Sequence, residues 1–251
     1  MNISFPGESD EYRAARERLL TQEVALRRET EAVAVLRRAL PPGGLVREDY
    51  VFDGLNAHGM AARIKLSEMF APGRDTLVIY NFMFPRDPQD DRPGPSVGTT
   101  AGLRREDGPC PSCVALLDQW DGAAMHIEQQ TSLAVIAKAP LDRLITFSKE
   151  RGWRNLRLFS AAGNTFKRDY RAETKEGFQR PMLTVFHRVG NEIRHFWSSE
   201  MLYSPTDPGQ DPRHAGTMEP LWNIFDLTPE GRPCDWDEQL DYHCCHAGSP
   251  R

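Results

Sequence analysis

The chain has 251 residues, with 31 Lys and Arg against 36 Asp and Glu and a formal net charge of −5. An acidic balance gives no electrostatic support for binding nucleic acid. No run approaches the roughly 20 apolar residues of a membrane span. The opening Met1-Asn2-Ile3-Ser4-Phe5-Pro6-Gly7 lacks the basic and apolar regions of a signal peptide. The expectation is a cytoplasmic globular protein whose partners are neither nucleic acid nor membrane.

Residues Ser9 to Leu40 read as one long helix. Ser9 is an N-cap candidate, with Asp10 and Glu11 at the positive end. Tyr12, Leu19, Leu26, Val33 and Leu40 recur every seven residues, and Pro41-Pro42-Gly43-Gly44 stops the helix. Arg27, Arg28, Arg37 and Arg38 read as a solvated face balanced by Glu23, Glu29 and Glu31. A helix this long ahead of the main domain packs on that domain or on another subunit. A homodimer contact is the expectation.

Val46 to Asp53 is a strand candidate and Lys65 to Phe70 a helical turn. Thr76 to Phe84 is nearly continuously apolar, as a central strand covered on both faces is; Tyr80 and Asn81 interrupt it as satisfied hydrogen-bonding groups. Pro85 to Pro109, rich in Pro, Asp, Arg and Gly, is an irregular insertion. At that length it is a lid over the cysteines beyond it or an insertion without a role.

Cys110-Pro111-Ser112-Cys113 comes directly after the insertion. Counting from Cys113, the residues Leu117, Trp120, Ala124 and Ile127 fall on one helix face. Cys113 is expected on the buried stripe, and Cys110 at the helix N-terminus and more exposed. Free N–H groups and the positive dipole end favour a thiolate there. In Cys-x-x-Cys motifs the thiol pKa falls from about 8.5 to between roughly 3.5 and 7.5. Cys110 would attack a disulfide and Cys113 resolve the mixed disulfide; Pro111 suits the first helical turn. Spacing alone equally allows half of a zinc site.

The helix runs to about Gln130. Beyond it come a strand at Ser132 to Lys138, a helix from Leu141 to about Arg151, a short strand at Leu156 to Ser160 and a polar, irregular stretch from Gly163 to Glu176. Alternating segments on either side of Gly190-Asn191, from Pro181 to Trp197, read as a β-hairpin. Tyr203 to Gly216 is a loop, Met218 to Asp226 a closing helix, and the tail beyond Pro229 is polar. Alternating strands and helices argue for an α/β layer with a parallel core to which the hairpin adds antiparallel strands. A zinc ribbon would place its cysteines on tight hairpin turns, so the context favours redox chemistry.

The order resembles the thioredoxin-like fold. More closely, the chain resembles a bacterial thioredoxin-like family of unknown function whose members are labelled predicted dithiol-disulfide oxidoreductases. The matching pieces are Ala39-Leu40-Pro41, Asp49-Tyr50-Val51-Phe52, Tyr80-Asn81-Phe82-Met83-Phe84, Cys110-Pro111-Ser112-Cys113, Gly152-Trp153, Asn164-Thr165-Phe166 and Asp226-Leu227-Thr228-Pro229-Glu230-Gly231-Arg232. The resemblance implies a thioredoxin-like domain over 45–232, between an N-terminal helical extension at 1–44 and a polar tail at 233–251. It implies Cys110 as nucleophile, Cys113 as resolving thiol, and Pro181 as a substrate-binding cis-proline. The chain departs from thioredoxin in its long insertion before the motif, with Gly108-Pro109 directly ahead of Cys110.

The expected activity is thiol-disulfide oxidoreduction without a bound cofactor or metal, on a protein disulfide, glutathione or a peroxide. A thiol peroxidase needs an arginine beside its cysteine, which the sequence does not locate. A non-catalytic thioredoxin-fold binding or metal-binding module is the reading from another class. Five cysteines, Cys110, Cys113, Cys234, Cys244 and Cys245, are an odd number for a disulfide framework. His243-Cys244-Cys245-His246 offers soft metal ligands that would need a partner such as Cys234, or thiols that exchange with Cys110; the simpler reading is a polar tail. His126 lies too far along the helix to serve Cys110, and His187 and His195 read as structural hairpin residues.

Overall fold

The computed structural model describes residues 3–211, Met218, Pro220 and 234–240. It divides into two compact units, Met1–Gly43 and Gly44–Arg251. The first is built on α1, Asp10–Arg38. Ser9 caps it as expected, its hydroxyl accepting the Tyr12 N–H at 3.1 Å, and Glu8 pairs with Arg13 at 2.7 Å.

The second unit carries β1 (Val51–Leu55), β2 (Ala61–Lys65), β3 (Thr76–Asn81), α2 (Pro111–Ile127), β4 (Ser132–Ala137), α3 (Leu141–Arg151), β5 (Leu158–Ser160), α4 (Phe166–Asp169), β6 (Met182–Val189) and β7 (Glu192–Ser198). Its seven strands form one sheet in the order β2-β1-β5-β4-β3-β6-β7. β3, β4 and β5 are parallel neighbours, β6 runs antiparallel to β3, and β6 and β7 close the hairpin at Gly190, whose φ of +60° suits a glycine. A parallel β3–α2–β4 crossover beside an antiparallel hairpin is the thioredoxin-like arrangement, and the fold is α/β with a mixed central sheet.

Alternation along β3 explains why its sequence is almost wholly apolar. Leu77 and Ile79 face one side of the sheet with Ala134, Ile136, Phe159 and Phe186. Tyr80 faces the other, with Phe82, Val135 and Ala137, against Cys113, Leu116 and Leu117 of α2 and Leu144 and Phe147 of α3. All six residues of β4 are buried, as in a strand covered on both sides. α3 ends at Gly152, whose φ of +86° is the left-handed cap that favours glycine.

Several expectations shift. The strand expected from Val46 begins at Val51; Val46 instead donates its N–H to Ile193 O, lying against the hairpin. β2 carries no strand signal in the sequence, its run of Ala-Ala-Arg-Ile-Lys being too polar. The polar stretch after Gly163 contains α4, and the insertion contains short 3₁₀ turns at Thr99–Gly102 and Arg105–Asp107. Among the described residues the cis peptide bond is Phe84–Pro85, and Arg180–Pro181 is not cis. Pro181 stands directly ahead of β6, where extended chain leads into the strand, and its carbonyl accepts the Tyr203 hydroxyl. The closing helix expected at Met218 to Asp226 and the His243–His246 tail fall outside the described residues, except Met218 and Pro220.

Candidate active site

The motif sits where the end of β3 meets the start of α2. Cys110 is the N-cap residue of α2, with Pro111 in its first turn. Its carbonyl accepts the Val114 N–H, and its own N–H is held by Met83 O at 3.0 Å. This bond ties the helix start to the chain leaving β3, and the first helical turn sets Cys110 3.5 Å from Cys113. Cys113 lies on the buried stripe, as its spacing predicts. Cys110, expected to be the more open thiol, is only 1% exposed, against 2% for Cys113.

The insertion covers Cys110. Arg92 Nη2 lies 3.9 Å from the Cys110 sulfur, while Nη1 donates to Ser112 Oγ at 2.9 Å and to Glu238 O at 3.2 Å. Asp90 takes Nε and Nη2 of the same guanidinium at 2.9 and 2.8 Å. Burial opposes the Arg92 charge, yet Asp90, the Cys110 thiol and Glu238 hold its pKa above the usual arginine value. Ser112 Oγ donates to Glu238 Oε2 at 3.0 Å. Glu238 and Leu240 are themselves buried, so the 234–240 segment forms part of the cover.

Three anchors fix this cover. Arg86, 2% exposed, donates from Nη1 to Arg92 O at 2.7 Å, and its N–H bonds Gly108 O. A Cβ at Gly108 would stand 3.2 Å from Arg105 O and 3.3 Å from Arg86 Nη2, a close approach that any larger residue would have to displace. Farther out, Glu150 of α3 accepts from the Thr100 hydroxyl at 2.6 Å. On the other side, Arg151 pairs with Asp118 of α2 and donates to Leu240 O at 2.5 Å.

Cys113 has a different setting. The Tyr80 hydroxyl donates to its sulfur at 3.2 Å, the Met83 N–H adds a backbone hydrogen bond, and Lys167 contributes positive charge. Burial pushes the Cys113 thiol up, but these donors and the Cys110 thiol outweigh it and bring Cys113 below the usual range. Cys110 is held well above that range by its hydrogen bond with Cys113 and by burial, which the Arg92 charge does not offset. The helix dipole alone therefore does not decide which sulfur is charged. The two thiols share their protons as one unit, and the Tyr80 hydroxyl, the Met83 N–H and the Lys167 charge favour the negative charge on its Cys113 side.

Tyr80, Arg92, Lys167 and Glu238 carry most of this chemistry, and sequence reasoning assigned none of them a role. Tyr80 gave a signal as a polar break in a central strand, read there as an ordinary hydrogen bond. His126, His187 and His195 stay outside the site; His195 Nε2 meets Ser198 Oγ at 2.8 Å in the hairpin. Among the described residues no group of three or more His, Cys, Asp or Glu side chains is placed to hold a metal ion. Nor is any of their helices long and apolar enough to cross a membrane.

The family model for bacterial proteins of unknown function, DUF899, matches residues 3–245. The chain belongs to this family. None of the curated proteins matches this DUF899 chain. Among solved structures it is similar to PrxQ of Xylella fastidiosa, at 11% identity and a TM-score of 0.42, covering 63% of this chain and 84% of that one. It is likewise similar to Plasmodium yoelii thioredoxin peroxidase I, at 12% identity and a TM-score of 0.42 over 79% and 99% of the two chains. Peroxidoxin BcpB of Mycobacterium tuberculosis is similar at 13% identity and a TM-score of 0.38, over 70% and 91%. Likenesses this distant carry no argument about activity, which rests on the site itself.

Proposed function

We propose that this DUF899 protein is a dithiol-disulfide oxidoreductase that cycles Cys110 and Cys113 between dithiol and disulfide. The observation that carries the reading is the pair itself: two thiols 3.5 Å apart at a helix N-terminus, with Tyr80 and Arg92 placed one on each sulfur. Cys110 is the attacking thiol because it lies under irregular chain, whose contacts open at lower cost than those of the sheet, whereas Cys113 is held from the core. As Cys110 attacks a substrate disulfide, its proton passes to the Cys113 thiolate. The substrate S–S bond breaks and one half leaves as thiolate. That thiolate takes the proton back from Cys113, which then attacks the Cys110 sulfur of the mixed disulfide. The second half leaves as a thiolate protonated by water, and the Cys110–Cys113 disulfide remains. No bound cofactor or metal takes part.

The residues flanking Pro181, Arg180 and Met182, line a cleft of about 790 Å³ with Tyr170, His195 and Tyr203. Neither cysteine lines this cleft; what supports a substrate-positioning role for the Pro181 segment is that Met182, the next residue, pairs with Asn81, two residues ahead of the Met83 backbone that holds Cys110. Arg92 supports a second reading, thiol peroxidase. In that case Cys110 attacks a peroxide oxygen as its proton passes to the Cys113 thiolate, the O–O bond breaks, and the leaving alkoxide or hydroxide takes that proton from Cys113; the Cys113 thiolate then attacks the sulfur of the Cys110 sulfenic acid, expelling hydroxide and forming the same disulfide.

Parallel assays of insulin-disulfide reduction and hydroperoxide consumption, with dithiothreitol as reductant, separate the two. The oxidoreductase reading expects insulin turnover that disappears in Cys110→Ser. Hydroperoxide consumption without insulin turnover transfers the assignment to the peroxidase, and inactivity in both leaves a non-catalytic binding module.

A further inference from the structure

Lys167 is a buried cation outside the proton and sulfur transfers proposed for the dithiol. It lies on α4 with no exposed surface, and its Nζ donates to Phe82 O at 2.7 Å. The Phe82 carbonyl and the Met83 N–H belong to one peptide unit, which is planar and whose two dipolar ends point in opposite directions. At the far end of that unit the Met83 N–H serves Cys113. One residue on, the Met83 carbonyl holds the Cys110 N–H. The amine and both cysteines are thus joined by two consecutive residues of backbone.

We propose that Lys167 is a positioning residue of the dithiol, acting through the Phe82–Met83 peptide to stabilise the Cys113 thiolate. The inference rests on the dithiol reading above and adds to it the residue that tunes the pair. A charged donor on the carbonyl end polarises the peptide and strengthens its N–H as a donor, a cooperative effect enlarged by burial. The amine also acts directly by its charge. The groups that face it are Cys113, Glu173 and Lys138. Glu173 is matched by Lys138, 3.1 Å away, which leaves the thiolate as the anion that Lys167 answers. Burial lowers the lysine pKa to about 7, with Cys113 acting against the fall. The coupling is reciprocal. A thiolate at Cys113 favours the ammonium form, and disulfide formation removes that anion and releases the proton.

The test is the titration of the Cys113 thiolate by its absorbance near 240 nm, with Cys110, Cys234, Cys244 and Cys245 replaced by Ser. Adding Lys167→Met is expected to raise the Cys113 pKa by about one unit, a tenfold loss of thiolate at a fixed pH below it. In the intact pair, a tenfold loss of dithiol stabilisation lowers the reduction potential by about 30 mV. A Cys113 pKa unmoved by Lys167→Met in a cooperatively folding protein overturns the inference and leaves Lys167 a structural lysine.

If Lys167→Met does not fold, ¹³Cε-lysine NMR on the reduced full chain decides. The buried amine titrates at lower pH in Cys113→Ser than in wild type if the coupling exists, and at the same pH if it does not. Neither readout requires turnover, so an inactive dithiol would sink the oxidoreductase reading without deciding this one.

Discussion

The two sulfurs of one motif are held by two unlike parts of the molecule. Cys110 is enclosed by an insertion and the 234–240 segment, through Arg92, Asp90 and Glu238, charged groups on irregular chain that meet Ser112 in the first turn of α2. Cys113 is held by the frame, through Tyr80 of β3, the Met83 backbone and Lys167 of α4. Contacts on irregular chain break at lower free-energy cost than those in the middle of a sheet. The labour is divided: the cover encloses Cys110, and the core sets the charge on Cys113.

The largest effect that would break this division comes from the thiols. Cys113→Ser leaves Cys110 without a resolving partner, so insulin reduction falls at least a hundredfold and a stable mixed disulfide with substrate accumulates on mass spectrometry. An unchanged rate would place the resolving thiol elsewhere, with Cys234, Cys244 and Cys245 the remaining candidates. Next in size, Glu238→Ala removes a buried partner of Ser112 and Arg92. Iodoacetamide should then alkylate Cys110 about tenfold faster, the factor expected from loosening the cover by about 1.4 kcal/mol, while Cys113 keeps its thiolate character. Equal acceleration at both thiols would dissolve the distinction between cover and core.

Tyr80→Phe acts on the core side alone. Losing one hydroxyl donor to a thiolate, about 1.5 kcal/mol at the low end for a bond to a charged group, should raise the Cys113 pKa by about one unit with little change in the alkylation of Cys110. The smallest effect is on stability. Because the folded-state pKa of Lys167, about 7, lies below its ordinary value of 10.5, the unfolded chain binds one more proton between those limits. Lys167 therefore makes stability rise with pH from about 7 to 10.5, and costs stability in full below about 7. Lys167→Met should be more resistant to urea than wild type at pH 6 and show a flatter rise above pH 7; a slope identical to wild type would contradict the buried, depressed amine.

Much of this arrangement was legible because it depends on periodicity and local signals. Ser9 announced α1, the unbroken apolar run of β3 announced a central strand, and the four-three spacing from Cys113 placed that thiol on the buried face. The Gly190-Asn191 pair announced the hairpin. What sequence did not reveal depends on tertiary contact. Arg92 lies in an insertion whose composition reads as loop, and only folding brings it over Cys110, eighteen residues on. Lys167 lies in a polar stretch that reads as surface, yet α4 carries it under the sheet to Phe82. Burial of Cys110 is likewise the work of residues far along the chain, Glu238 among them. The cis-proline expected at Pro181 came from family resemblance, and the chain instead runs extended there into β6.

The central claim is a reversible Cys110–Cys113 couple, and the most direct test is equilibration of the purified protein with reduced and oxidised glutathione. The account predicts a two-electron transition between about −120 and −270 mV, accompanied by a loss of two mass units and absent in Cys110→Ser. A pair that stays reduced across that range, or that forms only mixed disulfides with glutathione, would contradict it.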